Sequence, residues 1–342
     1  MKYNKNIQKR INISIIDYKE YCHSYSSIGI ELKFHDYRIG NFINIPNEEK
    51  DFFHIYFDDS KEEIKSNSIK EFGRDKKVKI KIDSQVKSFK GLFSGCQYIT
   101  SIYFNKFYRN NITNMNHMFD HCRSLKELNF SNFITNNVTN MKFMFYGCSS
   151  LEELNLTNFN TNKVTDMSYM FCGCSSLKEL SLTNFNTNNV VNFGGMFCKC
   201  SSLKELNLSS FNTNNLTNMS EMFYGCSSLE KLNLSNFDTN NVEYMNYMFY
   251  KCTSIKELNL SNYNTNKVTD MSGMFYECTS LAKLNLSNFN TNNVTNMRCM
   301  FYGCSSLKEL NISNLISNNA ANIALIFYGC SEELSSKFQI TN

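Results

Sequence analysis

Cysteine returns every 26 residues along most of this chain, at Cys96, Cys122, Cys148, Cys174, Cys200, Cys226, Cys252, Cys278, Cys304 and Cys330. No insertion or deletion breaks the register. A constant period of this size marks stacked repeats, each too small to bury its own apolar face. It makes most of the chain one elongated object and assigns function to a surface rather than to a deep pocket.

The unit is clearest from Cys148 to Cys174. Its apolar positions are Leu151, Leu154, Leu156, Phe159, Val164, Met167, Met170 and Phe171. Leu154-Asn155-Leu156 alternates as a strand does, with Asn155 on the opposite face. Val164, Met167, Met170 and Phe171 form one stripe at helical spacing. The Asn- and Thr-rich stretch between the groups reads as a turn. The expected fold is an α/β repeat solenoid, with leucine-rich-repeat-like parallel strands on one face and short helical segments on the other. Nine strand segments at about 4.8 Å would make a sheet roughly 40 Å long.

L-x-x-L-x-L followed by a pivot is the leucine-rich pattern. Whole units, N-V-T-N-M-S-x-M-F-x-G-C-S-S-L-x-x-L-N-L-S-N-F-N-T, resemble the BspA-like leucine-rich repeat surface proteins from about Val86 to Cys330. The pivot departs from the usual Asn or Cys: it is Phe133, Phe159, Phe185, Phe211, Phe237, Tyr263 or Phe289. The resemblance implies surface display and attachment to proteins or cells. It does not reach residues 1–75. The expected organisation is a non-repeat segment 1–75, a capping strand 76–85, nine to ten repeats over 86–330, and a tail 331–342.

The formal net charge is +4, from 35 basic and 31 acidic residues, and no basic block resembles a nucleic-acid footprint. Lys76 to Ile82 alternates strictly. It reads as the cap, with Val78, Ile80 and Ile82 on the first repeat and lysines guarding an exposed edge. No apolar run approaches the roughly 20 residues of a membrane span. Met1 to Ile16 carries no signal-peptide core. The resemblance implies cell surface or secretion, whereas the start of the chain leaves a cytoplasmic location open. The N-x-S/T triplets on successive strands, such as Asn129-Phe130-Ser131 and Asn233-Leu234-Ser235, would crowd glycans in a eukaryotic secretory pathway. They favour a cytosolic or bacterial protein.

The ten periodic cysteines occupy one structural position and are expected to form a buried ladder of reduced thiols, acting as small hydrophobes. His117 and His121 are four apart, a spacing that can bind metal, but these positions vary between repeats and read as surface. Cys172 with Cys174, and Cys198 with Cys200, make two C-x-C pairs that read as ordinary substitution for the recurring Tyr146, Tyr224, Tyr250, Tyr276 and Tyr302. No hydrolase elbow, phosphate loop or dinucleotide fingerprint is present. No catalytic residue, metal or cofactor is expected.

The strand face is nearly constant between repeats. Asn155, Asn207, Asn233, Asn259 and Asn285, with Ser209, Ser235 and Ser261, are the candidate ligand-binding residues. They would form a repetitive polar surface for a protein or glycan partner. The expected function is a non-enzymatic protein-binding or adhesion module. The alternative is an intracellular interaction scaffold or effector whose residues 1–75 carry a separate activity.

Overall fold

A computed structural model describes residues 27–34, 40–69, 77–312 and 322–337. The elements in chain order are β1 (Ile28–Phe34), β2 (Gly40–Asn41), a 3-10 turn (Asn47–Phe52), β3 (Phe53–Phe57), β4 (Ser68–Ile69), β5 (Lys77–Ile82) and β6 (Ile99–Lys106). Then come β7 (Glu127–Asn129), β8 (Glu205–Leu206), β9 (Lys231–Leu232), β10 (Glu257–Asn259), β11 (Lys283–Asn285), β12 (Glu309–Asn311) and the helix α1 (Glu332–Lys337). Of the segment 1–75 expected to be non-repeat, residues 1–26, 35–39 and 70–75 lie outside the described residues.

A five-stranded sheet in the order β3-β5-β1-β6-β7 starts the stack. Its first three pairings are antiparallel, and β6 pairs β7 in parallel, so β6 is where the cap becomes the repeat array. The alternation of β5 buries Val78, Ile80 and Ile82. The expected exposed edge is corrected. β5 lies between β3 and β1, and β1 is the strand that meets β6. The β5 lysines face acids from neighbouring segments: Lys77 Nζ is 3.3 Å from Glu31 and Lys79 Nζ is 2.6 Å from Asp59. Opposite charges across the strand pairs, rather than edge protection, account for the lysines.

The expected helical segments are also corrected. The stripe is buried as its spacing demands, with Met115, Met118, Phe119 and Cys122 fully enclosed. Yet the backbone is a chain of turns. Met118 N–H donates to Met115 O, Asp120 N–H to His117 O and Cys122 N–H to Phe119 O. His117 and His121 have φ of 56°, in the left-handed region, and the equivalent residues of later repeats do the same. A left-handed residue every four positions cannot belong to an α-helix. It suits the third position of a type II turn. The turns free alternate amides to bind the next repeat. Met115, His117, Phe119 and His121 donate to the carbonyls of Asn140, Lys142, Met144 and Tyr146. A helix would have spent those donors within itself. Among the described residues, the 3-10 turn and α1 are the only helices.

Three further columns tie one repeat to the next. From Cys122 onward each ladder thiol donates to a carbonyl of the preceding repeat, as Cys122 Sγ does to Phe93 O at 3.0 Å and Cys226 Sγ to Phe197 O at 3.1 Å. The phenylalanines from Phe93 to Phe327 stack in the core, with Phe223 and Phe249 centroids 5.5 Å apart. Buried threonines make reciprocal clamps. Thr187 Oγ1 donates to Asn212 O and accepts from Asn212 N–H, both at 2.8 Å. Single parallel bridges run unbroken from Ser88 through Asn114, Asn140 and onward to Asn322.

The strand side is less continuous than the leucine pattern predicts. β8 pairs only β9, and β10, β11 and β12 form a separate three-stranded sheet. Leu154 and Leu180 lie in no strand, although both are buried. A buried leucine at this position therefore does not require a hydrogen-bonded strand. The fold is an array of repeated units with short parallel strands and few helices.

Candidate interaction surfaces

The strand-face residues proposed from sequence sit where the pattern puts them, on the outside. Asn155, Asn207, Asn233 and Asn259 are exposed and Asn285 is partly so. Each spends its side-chain oxygen locally. Asn207 Oδ1 accepts from Ser209 N–H at 3.0 Å, Asn233 from Ser235 at 3.0 Å, and Asn259 from Ser261 at 3.1 Å. Asn155 does the same for Thr157 and Asn285 for Ser287. These are Asx turns, which end the strand and start the bend toward the pivot. Ser209, Ser235 and Ser261 thus contribute backbone amides to the column. With Oδ1 fixed, each Nδ2 is aimed away from its own turn. The adjoining column, Asn158, Asn184, Asn236 and Asn262, is structural. Asn184 Nδ2 reaches Leu156 O at 3.0 Å and Phe159 O at 2.9 Å in the previous repeat.

Two shallow grooves lie on this face. One, of about 690 Å³, runs over β10, β11 and β12, between Asn259, Asn285 and Asn311, with Lys283, Glu309 and Lys337 beside them. The other, of about 610 Å³, lies where pairing is missing, from Leu180 and Ser181 to Glu205 and Asn207. Exposed charges cross the rungs: Lys178 Nζ is 2.6 Å from Glu152, and Lys231 pairs with Glu205. Such solvated pairs add little stability. They keep the face near neutral.

The ladder cysteines Cys96, Cys122, Cys148, Cys174, Cys200, Cys226, Cys252, Cys278, Cys304 and Cys330 are free thiols. All are buried except Cys330, at the end of the array, which is partly exposed. Burial pushes Cys96, Cys174 and Cys278 up to about 12, far from thiolate reactivity. His117 and His121 both turn Nδ1 toward Asp120, at 2.7 and 2.5 Å. Among the described residues, no group of three or more His, Cys, Asp and Glu stands in a metal-holding arrangement.

The recurring tyrosine was visible in the sequence, but not that it stacks on the turn side. Tyr224, Tyr250, Tyr276, Tyr302 and Tyr328 stack in one continuous surface column. The first three steps are 4.4, 4.5 and 4.5 Å between near-parallel rings. Equivalent core rings, Phe223 with Phe249 and Phe275 with Phe301, are 5.5 and 5.6 Å apart. At the pivot, Tyr263 and Phe289 are 6.5 Å apart. Of these three ring columns the tyrosines stack most closely. The recurrence of Tyr two residues before the ladder cysteine was the available signal.

The geometry defines a class: a protein of in-register 26-residue repeats, joined by turn-side bridges and short parallel strands. The chain matches the family described as Mycoplasma protein of unknown function, DUF285, over residues 73–180, 150–257, 175–281 and 227–339, and it belongs to that family. No curated protein and no solved structure matches it. No helix among the described residues is long and apolar enough to cross a membrane.

Proposed function

We propose that the chain is a non-enzymatic binding or adhesion module, a leucine-rich-repeat-like solenoid of the BspA-like kind whose strand face holds a repetitive protein or glycan partner. The observation that carries this reading is the fixed asparagine row. The Asx turns hold every Oδ1, so the Nδ2 donors of Asn207, Asn233, Asn259 and Asn285 are set in one orientation before any partner arrives. Preorganised donors lose little freedom on binding. Repeated at each rung, they suit an acceptor-rich polymer such as an extended peptide or a glycan, and weak contacts multiply along it.

Asn→Asp tests this without disturbing the turn. Asp238 already caps Asn240 N–H in this way at 2.9 Å. The full chain with Asn207, Asn259 and Asn285 all changed to Asp should keep its melting temperature. It should lose binding to whichever immobilised glycan or matrix protein retains the native chain. Removing residues 175–226 in register should weaken that binding in proportion to the rungs lost. Retention unaffected by either change would refute the strand-face reading.

A further inference from the structure

The tyrosine column has a gap. Between Tyr146 and Tyr224 its two places are taken by Cys172 and Cys198, both 4 % exposed. Each of these two repeats also has one glycine beside the gap, Gly173 next to Cys172 and Gly195 three residues before Cys198. Gly195 shares its left-handed φ with non-glycine residues at this position in other repeats, but a Cβ there would stand 2.2 Å from the Tyr169 ring, so the glycine leaves room for that ring as it lies. The result is a groove of about 410 Å³ on the turn side. That is within the usual size range of small-ligand sites, about 300–1,000 Å³.

Its walls have a consistent chemistry. Tyr224 stacks one face on Tyr250, at 4.4 Å and 5° from parallel, and turns the other toward the gap. Tyr146 is the column's last ring before the gap, and Tyr169 and Tyr247, from the neighbouring column of Gly195 and Glu221, also line the groove. The Cys172 and Cys198 sulfurs make a polarisable floor, which favours contact with a ring. One carboxylate, Glu221, which accepts from the Tyr169 hydroxyl and keeps further acceptor capacity, and one ammonium, Lys199, supply opposite charges. The column elsewhere shows what fits between its layers: a flat ring, stacked at about the separation its own tyrosines adopt.

We propose that this groove binds a planar aromatic ring bearing a hydrogen-bond donor, a phenol or an indole, that enters the tyrosine column at the gap and is held at its polar edge by Glu221. The ring could come as a free small molecule or as an aromatic side chain of a peptide, since the stacking chemistry is the same. The site is independent of the strand-face reading and lies on a different side of the repeat.

The chain has no tryptophan, so indole emission excited to the red of tyrosine reports the probe alone. The full chain is titrated into indole, and separately into a Gly/Ser peptide carrying one tryptophan, following fluorescence anisotropy. Saturable binding is expected. Tighter binding of the peptide assigns a chain-borne ring, and equal binding a free one. Cys172→Tyr/Cys198→Tyr restores the residue that neighbouring repeats use and should fill the gap. Affinity should fall about ten- to a hundredfold, the loss expected when a stacking place is removed. Glu221→Gln and Tyr224→Leu, checked by melting temperature, give the same reading if the double variant folds poorly. Absence of saturable binding to the native chain, or unchanged affinity in all three variants, overturns the proposal.

Discussion

The two sides of each repeat are built from the same 26-residue period, yet they hold the array together to different degrees. On the turn side, successive repeats exchange several amides, a thiol from Cys122 onward and a threonine hydroxyl from Thr135 onward, and single bridges run unbroken from Ser88 to Asn322. On the strand side, strand pairing lapses between β7 and β8, where a single bond from Lys178 N–H to Glu152 O remains, and again between β9 and β10. Burial does not distinguish them, because Leu154 and Met167 are both enclosed. Backbone satisfaction does. The side with positive-φ turns exports its hydrogen bonds between repeats. The side that looks like a leucine-rich strand contributes apolar packing, an asparagine column and short, interrupted ladders.

The largest test of this contrast is a matched pair of truncations. Phe223→Ala opens the core stack at a fully buried position and should cost about 3–5 kcal/mol. Leu232→Ala, in β9 and only partly buried, should cost about 1–2 kcal/mol. Chemical denaturation of both variants checks it, and equal losses would erase the distinction. Next come the hydroxyls. Thr187→Val strands the amide and carbonyl of Asn212 in the interior and should cost about 2–3 kcal/mol. Ser209→Ala, on the strand face, should stay within about 0.5 kcal/mol.

The thiol ladder gives a pH signature. Cys174 and Cys278 are raised from an ordinary 9.0 to about 12. Between those values the unfolded chain has released these protons while the folded chain keeps them. Stability is therefore full below about pH 9 and should fall as pH rises toward 12. Urea midpoints measured from pH 8 to pH 11 should decline, and Cys174→Ser/Cys278→Ser should flatten the decline. A smaller effect, of opposite sign, belongs to the pivot. The Tyr263 hydroxyl is buried without a hydrogen-bond partner. Tyr263→Phe, the residue that neighbouring pivots use, should stabilise by about 1 kcal/mol.

Much of this was legible in the sequence. The period, the buried stripe of Met167, Met170 and Phe171, and the inward cysteines follow from apolar spacing alone. The turn chain was misread as helix because both put residues i, i+3 and i+4 on one face. The distinguishing sign is backbone chirality, marked only where the residue before the ladder cysteine is glycine, as at Gly147, Gly173 and Gly225. Where it is His121, Lys199 or Lys251, the side chain hides the left-handed conformation. The strand-face asparagines were correctly placed outside. Their capping role depends on where Oδ1 points, which a column of identical letters does not reveal. The replacement of the recurring tyrosine by Cys172 and Cys198 was legible, but the groove it leaves was not, because Cys172, Cys198 and Glu221 come together only when repeats stack.

Amide hydrogen exchange tests the central claim most directly. If the turn side is the continuous spine, the amides of Phe145, Phe171, Phe197, Phe223 and Phe249, each bonded to the next repeat, should be strongly protected throughout. The amides of Leu154, Asn155, Leu180 and Ser181, which belong to no strand, should exchange orders of magnitude faster despite their buried leucines. Uniform protection along all the L-x-L segments, or exchange at the phenylalanine amides as fast as at Asn155, would contradict it.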